Sequence, residues 1–447
     1  MNSYPYWWET VPGFSTGPDS PQTHPVELGT RPPEHGTRNP ELGTRVDVAI
    51  IGAGFTGLAA ARQLARSGAS VVICERESAG WGASSRNGGQ VLTGLKLDPA
   101  TLLARFGETR ARELFDVSLA SMSSLESLLQ DEAIDCEYER TGHVQAAWKP
   151  AHFDAFRDEQ QLLARVFNHP VTLVSRADQA AELGSAIYHG LLVDERSAAL
   201  NPAKYVQGLV RAVVRAGAIL HEHTGVVGLT RSAGNWIVQT ARGEIRAADL
   251  LIATNGYTSA VTPALQRRLV PIGSYIVVTE PLPEATARQL IPRRRMVFDS
   301  KNFLYYFRLT PDRRLMFGGR AVFTQPSPDC TRRAAAILQR GLATVFPELA
   351  ATRIDYAWGG NVAFTRDQMP HAGRLDEAYY SAGYSGHGVA MATYLGGLMA
   401  RRIAGERFDH PLLDVPFPAI PLAGLAGGRP WFLPLVGAYY RFRDWID

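Results

Sequence analysis

Val46-Asp47-Val48-Ala49-Ile50-Ile51-Gly52-Ala53-Gly54-Phe55-Thr56-Gly57 is the stretch on which the reading of this chain turns. A short β-branched and aliphatic run that ends at a glycine predicts a buried parallel strand. Residues 56–67 follow with Leu58, Ala61, Leu64 and Ala65 at helical spacing, and Gly68 marks the stop. Val71-Val72-Ile73-Cys74-Glu75 predicts a second strand, and the helical crossover makes the two strands parallel. The turn between strand and helix reads G-x-G-x-x-G. Gly52 permits the tight turn, Gly54 lets backbone approach a pyrophosphate, and Gly57 lets the helix pack close on the strand. Phe55 and Thr56 open the helix, whose free N–H groups and partial positive charge suit a phosphate. Glu75 stands 23 residues after Gly52, where a carboxylate accepts hydrogen bonds from the ribose of an unphosphorylated adenosine, with Arg76 beside it.

Working outward, the spacing of Phe115, Leu119, Met122, Leu125 and Leu129 predicts a helix over 99–130. Residues 200–216 predict another helix, and residues 219–229 a strand in which Val226 and Val227 join the candidate cofactor contacts. A further aliphatic strand over 248–253 ends in Thr254-Asn255-Gly256. Residues 270–325 are β-rich, with segments 272–278, 303–309 and 314–318 separated by turns and expected to pair antiparallel. Near the end, 379–383 reads as strand and 389–404 as helix, with Gly405 after it. Parallel pieces thus recur at the start, middle and end of the chain around a β-rich insert. The expected fold class is α/β, a Rossmann-like nucleotide lobe interleaved with an antiparallel β-sheet lobe.

Composition narrows the class further. The chain has 447 residues, 45% hydrophobic and 20% charged, which excludes a disordered chain, a collagen and a long coiled coil. A net charge of +3 is too small to imply a nucleic acid or other polyanion. Cys74, Cys136 and Cys330 lie far apart, in neither disulfide-scaffold nor metal spacing, and fit a reduced, cytoplasmic setting. No apolar run is long enough to span a membrane, and residues 1–20 lack the features of a signal peptide. Residues 11–45 are rich in Pro, Gly and Thr and repeat Gly-Thr-Arg at 29, 36 and 43, which reads as an extended arm. Tyr4-Pro5-Tyr6-Trp7-Trp8 ahead of it is aromatic enough to dock on the body. Arg293-Arg294-Arg295 reads as a solvated turn, and the aromatic stretch 431–445 as a tail docking on the body.

Two more glycine-rich segments separate the possible dinucleotides. Gly80-Trp81-Gly82-Ala83-Ser84-Ser85-Arg86-Asn87-Gly88-Gly89-Gln90 offers hydroxyls, a guanidinium and close-approach glycines beyond the acid, suited to pyrophosphate and a flavin edge. Gly383-Tyr384-Ser385-Gly386-His387-Gly388-Val389 lies again between strand and helix. Its backbone N–H groups suit negative charge on a reduced flavin. A nicotinamide enzyme has no use for this second loop, so FAD is expected.

These residues resemble the D-amino-acid-oxidase-like superfamily of FAD enzymes, which includes glycine oxidase and sarcosine oxidase. Within it, the chain is most similar to the gamma-glutamylputrescine oxidoreductases. The resemblance runs over nearly the whole chain. It rests on Tyr6-Trp7, residues 51–57, 82–90 and 253–257, PIGSYIVVTEPL at 271–282, Tyr306 to Thr310, Phe317 to Arg320, Trp358-Gly359-Gly360, and 383–389. It implies an FAD lobe over 46–98, 190–265 and 358–410. A substrate lobe with helices covers 99–189 and 266–357, an arm 1–45 and a docking tail 411–447. It implies hydride transfer from a C–N carbon to flavin N5 and hydrolysis of the imine. Polyamine catabolism is the implied setting, with oxygen or another acceptor taking the electrons. Ser85 departs from the glycine usual at that place. No cysteine falls in the matched blocks, so non-covalent FAD is expected. None of Lys96, Lys149, Lys204 and Lys301 falls in a matched flavin block, which leaves a dehydrogenase open.

Alternation on 303–309 places Tyr306 and Arg308 on a face opposite the aromatic core face. Tyr306 is a candidate hydrogen-bond donor. Arg308 is a candidate bidentate clamp for a substrate carboxylate, or a plain surface arginine. Tyr275, with Ser274, is a lower-ranked candidate. Trp358 reads as a cavity wall or a core residue. His387 reads as a flavin contact or a helper in deprotonating the ammonium; no strong base is required if the amine reacts neutral. Metal ligands are not expected. The alternatives are an amino-acid or N-methyl amino-acid oxidase or dehydrogenase, and a non-catalytic flavin-binding or redox-sensing protein.

Overall fold

The computed structural model describes residues 1–12, 45–319 and 326–421. The Gly-Thr-Arg repeat, apart from its last residue Arg45, and the 431–445 stretch lie outside these. The deciding stretch folds as expected: strand Arg45–Ile51, helix Phe55–Arg66 and strand Val71–Cys74, the two strands in parallel register. Arg45–Ile51 is flanked on its other side by Gly243–Ile252, and that strand by Ala378–Ala382, both parallel. Ile219–His221 adds to Val71–Cys74, His371–Leu375 pairs antiparallel with Ala378–Ala382, and Asn235–Thr240 joins Gly243–Ile252 to Val226–Ser232 in antiparallel pairs, which completes an 8-stranded sheet. The central strands are buried on both faces, which is why they read as unbroken aliphatic runs.

The expected strand over 219–229 is two strands, Ile219–His221 and Val226–Ser232. The polar group Glu222-His223-Thr224-Gly225 interrupts it, with His223 at φ 51° and the Glu222 carboxylate accepting the Ala79 N–H at 2.6 Å. The helix over 99–130 is Pro99–Asp131, capped by Asp98 and broken at Gly107, where φ is 71°. The spacing read from Phe115 onward carried no sign of that break.

A second 8-stranded sheet stands beside the first, in the order Ile354–Phe364, Val270–Thr279, Leu315–Gly319, Tyr305–Leu309, Met296–Asp299, His143–Ala146, Gly190–Asp194, Thr172–Ser175. It is antiparallel except where Met296–Asp299 meets His143–Ala146 in parallel. Helix Pro328–Val345 covers one face through Ala334, Leu338 and Leu342, packed on Phe307 and Phe317. The lobes interleave more finely than the sequence reading. Gly190–Asp194 and residues 358–364 belong to this second sheet, whereas Pro99–Asp131 packs in the core of the first lobe.

The last helix, Gly388–Ile403, lies directly on the first: a Cβ on Gly396 would sit 2.4 Å from the Thr56 carbonyl. Tyr6–Thr10 at the start forms a 3-10 turn whose Tyr6, Trp7 and Trp8 are buried against the body. Near the other end Phe417 stacks on His371 at 4.0 Å. Arg295 is no part of a solvated turn. It is buried and paired with Glu182 at 2.7 Å and Glu195 at 2.6 Å.

Candidate active site

The three loops singled out by their glycines converge on one cavity of about 380 Å³, within the range of cofactor sites. Gly52 takes φ 101°, closed to most side chains. A Cβ on Gly57 would lie 2.0 Å from the Gly52 carbonyl, so any side chain would force the helix off its turn. Gly57 therefore acts from behind, while Gly52, Gly54, Phe55 and Thr56 line the cavity. The Glu75 carboxylate lines it too, oriented by the N–H groups of Ala53 at 2.8 Å and Glu77 at 2.9 Å. Burial raises its pKa, with those N–H groups pulling the other way. Arg76, Gly225 and Val226 complete this end. Val227 does not: it is 65% exposed, because neighbours on a strand face opposite sides.

In the second loop, Ser84, Arg86, Asn87, Gly88 and Gln90 face the cavity. The Ser84 hydroxyl accepts from the Phe55 N–H at 3.0 Å, tying this loop to the first helix N-terminus. Ser85 and Gly89 do not reach the cavity. Ser85 is fully buried and donates to the Gly80 carbonyl at 2.8 Å. Gly89 has φ 68°, and a Cβ there would meet the Leu200 carbonyl at 2.1 Å. Thr254 and Asn255 line the cavity, and Asn255 Oδ1 accepts from the Gly383 N–H at 3.0 Å.

The third loop contributes Tyr384, Ser385, Gly386, His387, Gly388 and Val389. Gly383 supplies a turn at φ 84° rather than a wall. The Tyr384 hydroxyl is held by Thr56 Oγ1 at 2.5 Å and Ser381 Oγ at 2.9 Å. Two helix N-termini, at Phe55 and Gly388, therefore open on the same space, and both favour negative charge. His387 is kept neutral. Burial, with lesser pushes from Lys96 and His143, lowers its pKa to about 3.

Of the catalytic candidates, Tyr306 and His387 line the cavity and Tyr275, Arg308 and Trp358 do not. Tyr306 stands 3.2 Å from Ser274 Oγ, and its ring fills the space over Gly88 and Gly318. Tyr275 is buried in the opposite core, because Ile272, Ser274 and Ile276 take the cavity face of that strand. Arg308 shares a face with Tyr306, but two residues along a strand is about 7 Å, past the cavity wall. Its guanidinium donates to the carbonyls of Gly89 at 2.9 Å and Leu200 at 3.2 Å. Burial lowers its pKa to about 10, and it is neither a surface arginine nor a substrate clamp. Trp358 is a core residue whose indole N–H donates to the Arg86 carbonyl at 2.9 Å.

Sequence reasoning missed Lys96, Phe298 and Asn361, all of which line the cavity. Lys96 lies in an irregular stretch before Pro99 with no motif around it. Asn361 follows the matched Trp358-Gly359-Gly360 by one residue, the one signal that points to it.

Whether this cavity suits FAD is tested by its own polar atoms. Gln90 Nε2, Asn361 Oδ1 and His387 Nδ1 are buried on cavity-lining side chains with no hydrogen-bond partner among the described residues. Buried polar groups are ordinarily paired. Donor and acceptor atoms left open on the wall of a cavity, with phosphate-suited helix N-termini and a ribose-suited carboxylate along it, fit the ring edge, pyrophosphate and ribose of FAD. Among the described residues there is no His, Cys, Asp and Glu cluster able to hold a metal. No helix of the described residues is long and apolar enough to cross a membrane.

Known proteins share this chain's sequence and fold. Gamma-glutamylputrescine oxidoreductase of Escherichia coli is 33% identical over 405 residues, 89% of this chain and 92% of that protein. A probable oxidoreductase OrdL of Rhizobium meliloti is 34% identical over 406 residues, 90% of this chain and 92% of that protein. Among solved structures, glycine oxidase of Geobacillus kaustophilus superposes with a TM-score of 0.70 at 21% identity, covering 84% of this chain and 99% of that one. Residues 47–402 match the FAD dependent oxidoreductase family, known as DAO, and the chain belongs to that family of amine- and amino-acid-oxidising flavoenzymes.

Proposed function

We propose that the protein oxidises the C–N bond of an amine that also carries an anionic group, a gamma-glutamylated polyamine being the leading substrate, with FAD held non-covalently. Bound FAD supplies the two-electron acceptor for that bond. The observation that carries the substrate reading is the charge pattern of the cavity. Glu75 is the acidic side chain among those lining it, at the nucleotide end, whereas Lys96 lines the far end close enough to His387 to bear on its charge. An ammonium next to His387 therefore meets a neutral imidazole, and a substrate carboxylate meets a cation. A base whose pKa is about 3 holds no proton at neutral pH. His387 thus serves as a hydrogen-bonding contact, and the amine loses its proton to water before it reacts. Tyr306 and Ser274 offer a paired hydroxyl edge to orient the substrate's polar chain.

Non-covalent attachment is supported by the cysteines. Cys74 and Cys136 are free and buried, and burial pushes their thiols up to about 12, far from the reactive thiolate. Free thiols also support the cytoplasmic setting.

The test is an anaerobic visible spectrum of the FAD-loaded protein, titrated with gamma-glutamylputrescine, putrescine, glycine and sarcosine. The expected result is bleaching of the flavin band, fastest with gamma-glutamylputrescine and at least about tenfold slower with putrescine, which lacks the carboxylate. Fastest bleaching by glycine or sarcosine would move the substrate class to amino acids. A band that no amine bleaches would sink the reading.

A further inference from the structure

We propose that the aromatic turn at the start of the chain, Tyr6–Thr10, is a clamp that locks the cofactor loop, so that FAD retention depends on Trp7 and Trp8, side chains that do not line the cavity. The inference rests on FAD occupying the cavity and is independent of which amine is oxidised.

Residues 84–90 form the loop in question, and their chain alternates between two duties. Ser84, Arg86, Asn87 and Gln90 present side chains to the cavity. The groups pointing away are each held by a donor from a distant segment. Trp8 Nε1 donates to Ser85 Oγ at 2.8 Å, across 77 residues of sequence. Trp7 Nε1 donates to the Asn87 carbonyl at 2.9 Å, across 80 residues. Trp358 Nε1 donates to the carbonyl of Arg86, between them, and Arg308 to that of Gly89. The Arg86 guanidinium lies between the Trp8 ring at 4.8 Å and the Trp81 ring at 4.3 Å, its Nε donating to the Trp81 carbonyl at 2.7 Å.

Indole suits this work because it combines a large apolar body with one donor and no acceptor. The ring seals the loop's outer side from water, and the single N–H fixes one acceptor. The turn does not stand by itself, since a 3-10 helix of 5 residues has few internal bonds. It is ordered by what it grips. Tyr6 donates to Asp312 at 2.8 Å, Tyr356 donates to Glu9 at 2.5 Å, and Asn201 donates to Thr10 Oγ1 at 2.9 Å. The clamp thus ties the cofactor loop to the second sheet, at Asp312 in the turn after Tyr305–Leu309 and at Tyr356 in Ile354–Phe364. Ser85 is the residue whose side chain receives Trp8. A glycine there offers no hydroxyl to the indole.

The test measures the FAD dissociation constant by flavin fluorescence for Trp7→Phe, Trp8→Phe, Ser85→Ala and the pair Trp8→Phe with Ser85→Ala. Melting temperatures are recorded with and without FAD. Phenylalanine keeps an aromatic ring but removes the donor and part of the indole's buried volume, whereas Ser85→Ala removes the acceptor with little change of volume, and each single variant is expected to weaken FAD about tenfold. The pair should weaken FAD by less than the two single effects combined, because both changes break the bond between Trp8 and Ser85, while Ser85→Ala alone also loses the bond to the Gly80 carbonyl. The melting temperature should fall more in the FAD-loaded than in the FAD-free protein. Dissociation constants within about twofold of the parent in the folded variants overturn the proposal, as do equal falls in melting temperature with and without FAD. If the tryptophan variants do not fold, Ser85→Ala decides by the same two readings.

Discussion

The two ends of the cavity are built by different means. At the nucleotide end, backbone does the work: Gly52, Gly54 and Gly57 set the path, and the N-terminus of helix Phe55–Arg66 opens on the space. At the ring end, side chains do it. Ser274, Phe298, Tyr306, Asn361, His387 and Lys96 come from segments spread over most of the chain. Backbone recognition needs a local sequence with little freedom. Side-chain recognition needs only that distant strands arrive at the right register. The first end thus suits a cofactor common to a family, and the second is where a substrate is chosen.

The sharpest way to break this contrast is a side chain at Gly57. Its Cβ would lie 2.0 Å from the Gly52 carbonyl, a backbone atom with nowhere to go. Gly57→Val is expected to cost more than about 3 kcal/mol and to yield protein without FAD. Urea unfolding and the flavin absorbance of the purified protein check this. A variant that still binds FAD normally would show that the turn is more pliant than the nucleotide end requires. A single truncation at the ring end, by contrast, should leave FAD in place.

A second effect separates the ends by pH. His387 is held at a pKa of about 3 against an ordinary 6.5. The unfolded chain therefore binds the proton first as pH falls, and stability is lost below about pH 6.5 and keeps falling toward 3. Between pH 6.5 and 5 this one group contributes about 2 kcal/mol of that loss. His387→Asn removes the titration, so its unfolding free energy should fall less steeply with pH than that of the parent. Parallel pH curves for the two proteins would mean that His387 is not kept neutral by its surroundings. The nucleotide end has an opposite signature at Glu75, whose raised pKa makes stability fall as pH rises through the carboxylate range.

The same contrast decides what was legible in the sequence. The nucleotide end was readable because strand, glycines, helix and acid occupy one continuous stretch, and each has a local physical reason. The ring end was readable only in part. Alternation read on 303–309 sorts the faces within the strand Tyr305–Leu309, with Phe307 and Leu309 in the core and Tyr306 in the cavity, but not Phe303, which precedes the strand and packs with Ile272. It says nothing about where along the strand the cavity ends, so it leaves Arg308 as a substrate clamp or a surface arginine, and its burial against Gly89 and Leu200 fits neither. On the neighbouring strand the choice between Ser274 and Tyr275 depends on which face of Val270–Thr279 meets the cavity. Trp358 and Ser85 were quoted as parts of matched blocks, yet both serve the outer side of the loop. Patterning finds that a residue is buried or paired; it does not find which side of a loop the partner is on.

The mildest change addresses the cation that sequence reasoning sought at Arg308. Lys96 lines the ring end and lowers the pKa of His387. If it also receives a substrate anion, Lys96→Met loses a charge-assisted contact made equally in the ground and transition states. Such uniform binding shows as a raised KM with kcat little changed. The expected rise is about tenfold for gamma-glutamylputrescine and less than about twofold for putrescine, whose chain carries no carboxylate. Lys96→Arg should restore most of the difference, since charge and not shape is what the contact needs. FAD affinity should stay within about twofold of the parent, because the nucleotide end is untouched. A loss of FAD would instead join Lys96 to the cofactor and erase the line drawn between the two ends. A KM that rises equally for both amines would leave the ring end without its anion site and return the choice of substrate to the shape set by Tyr306 and Phe298.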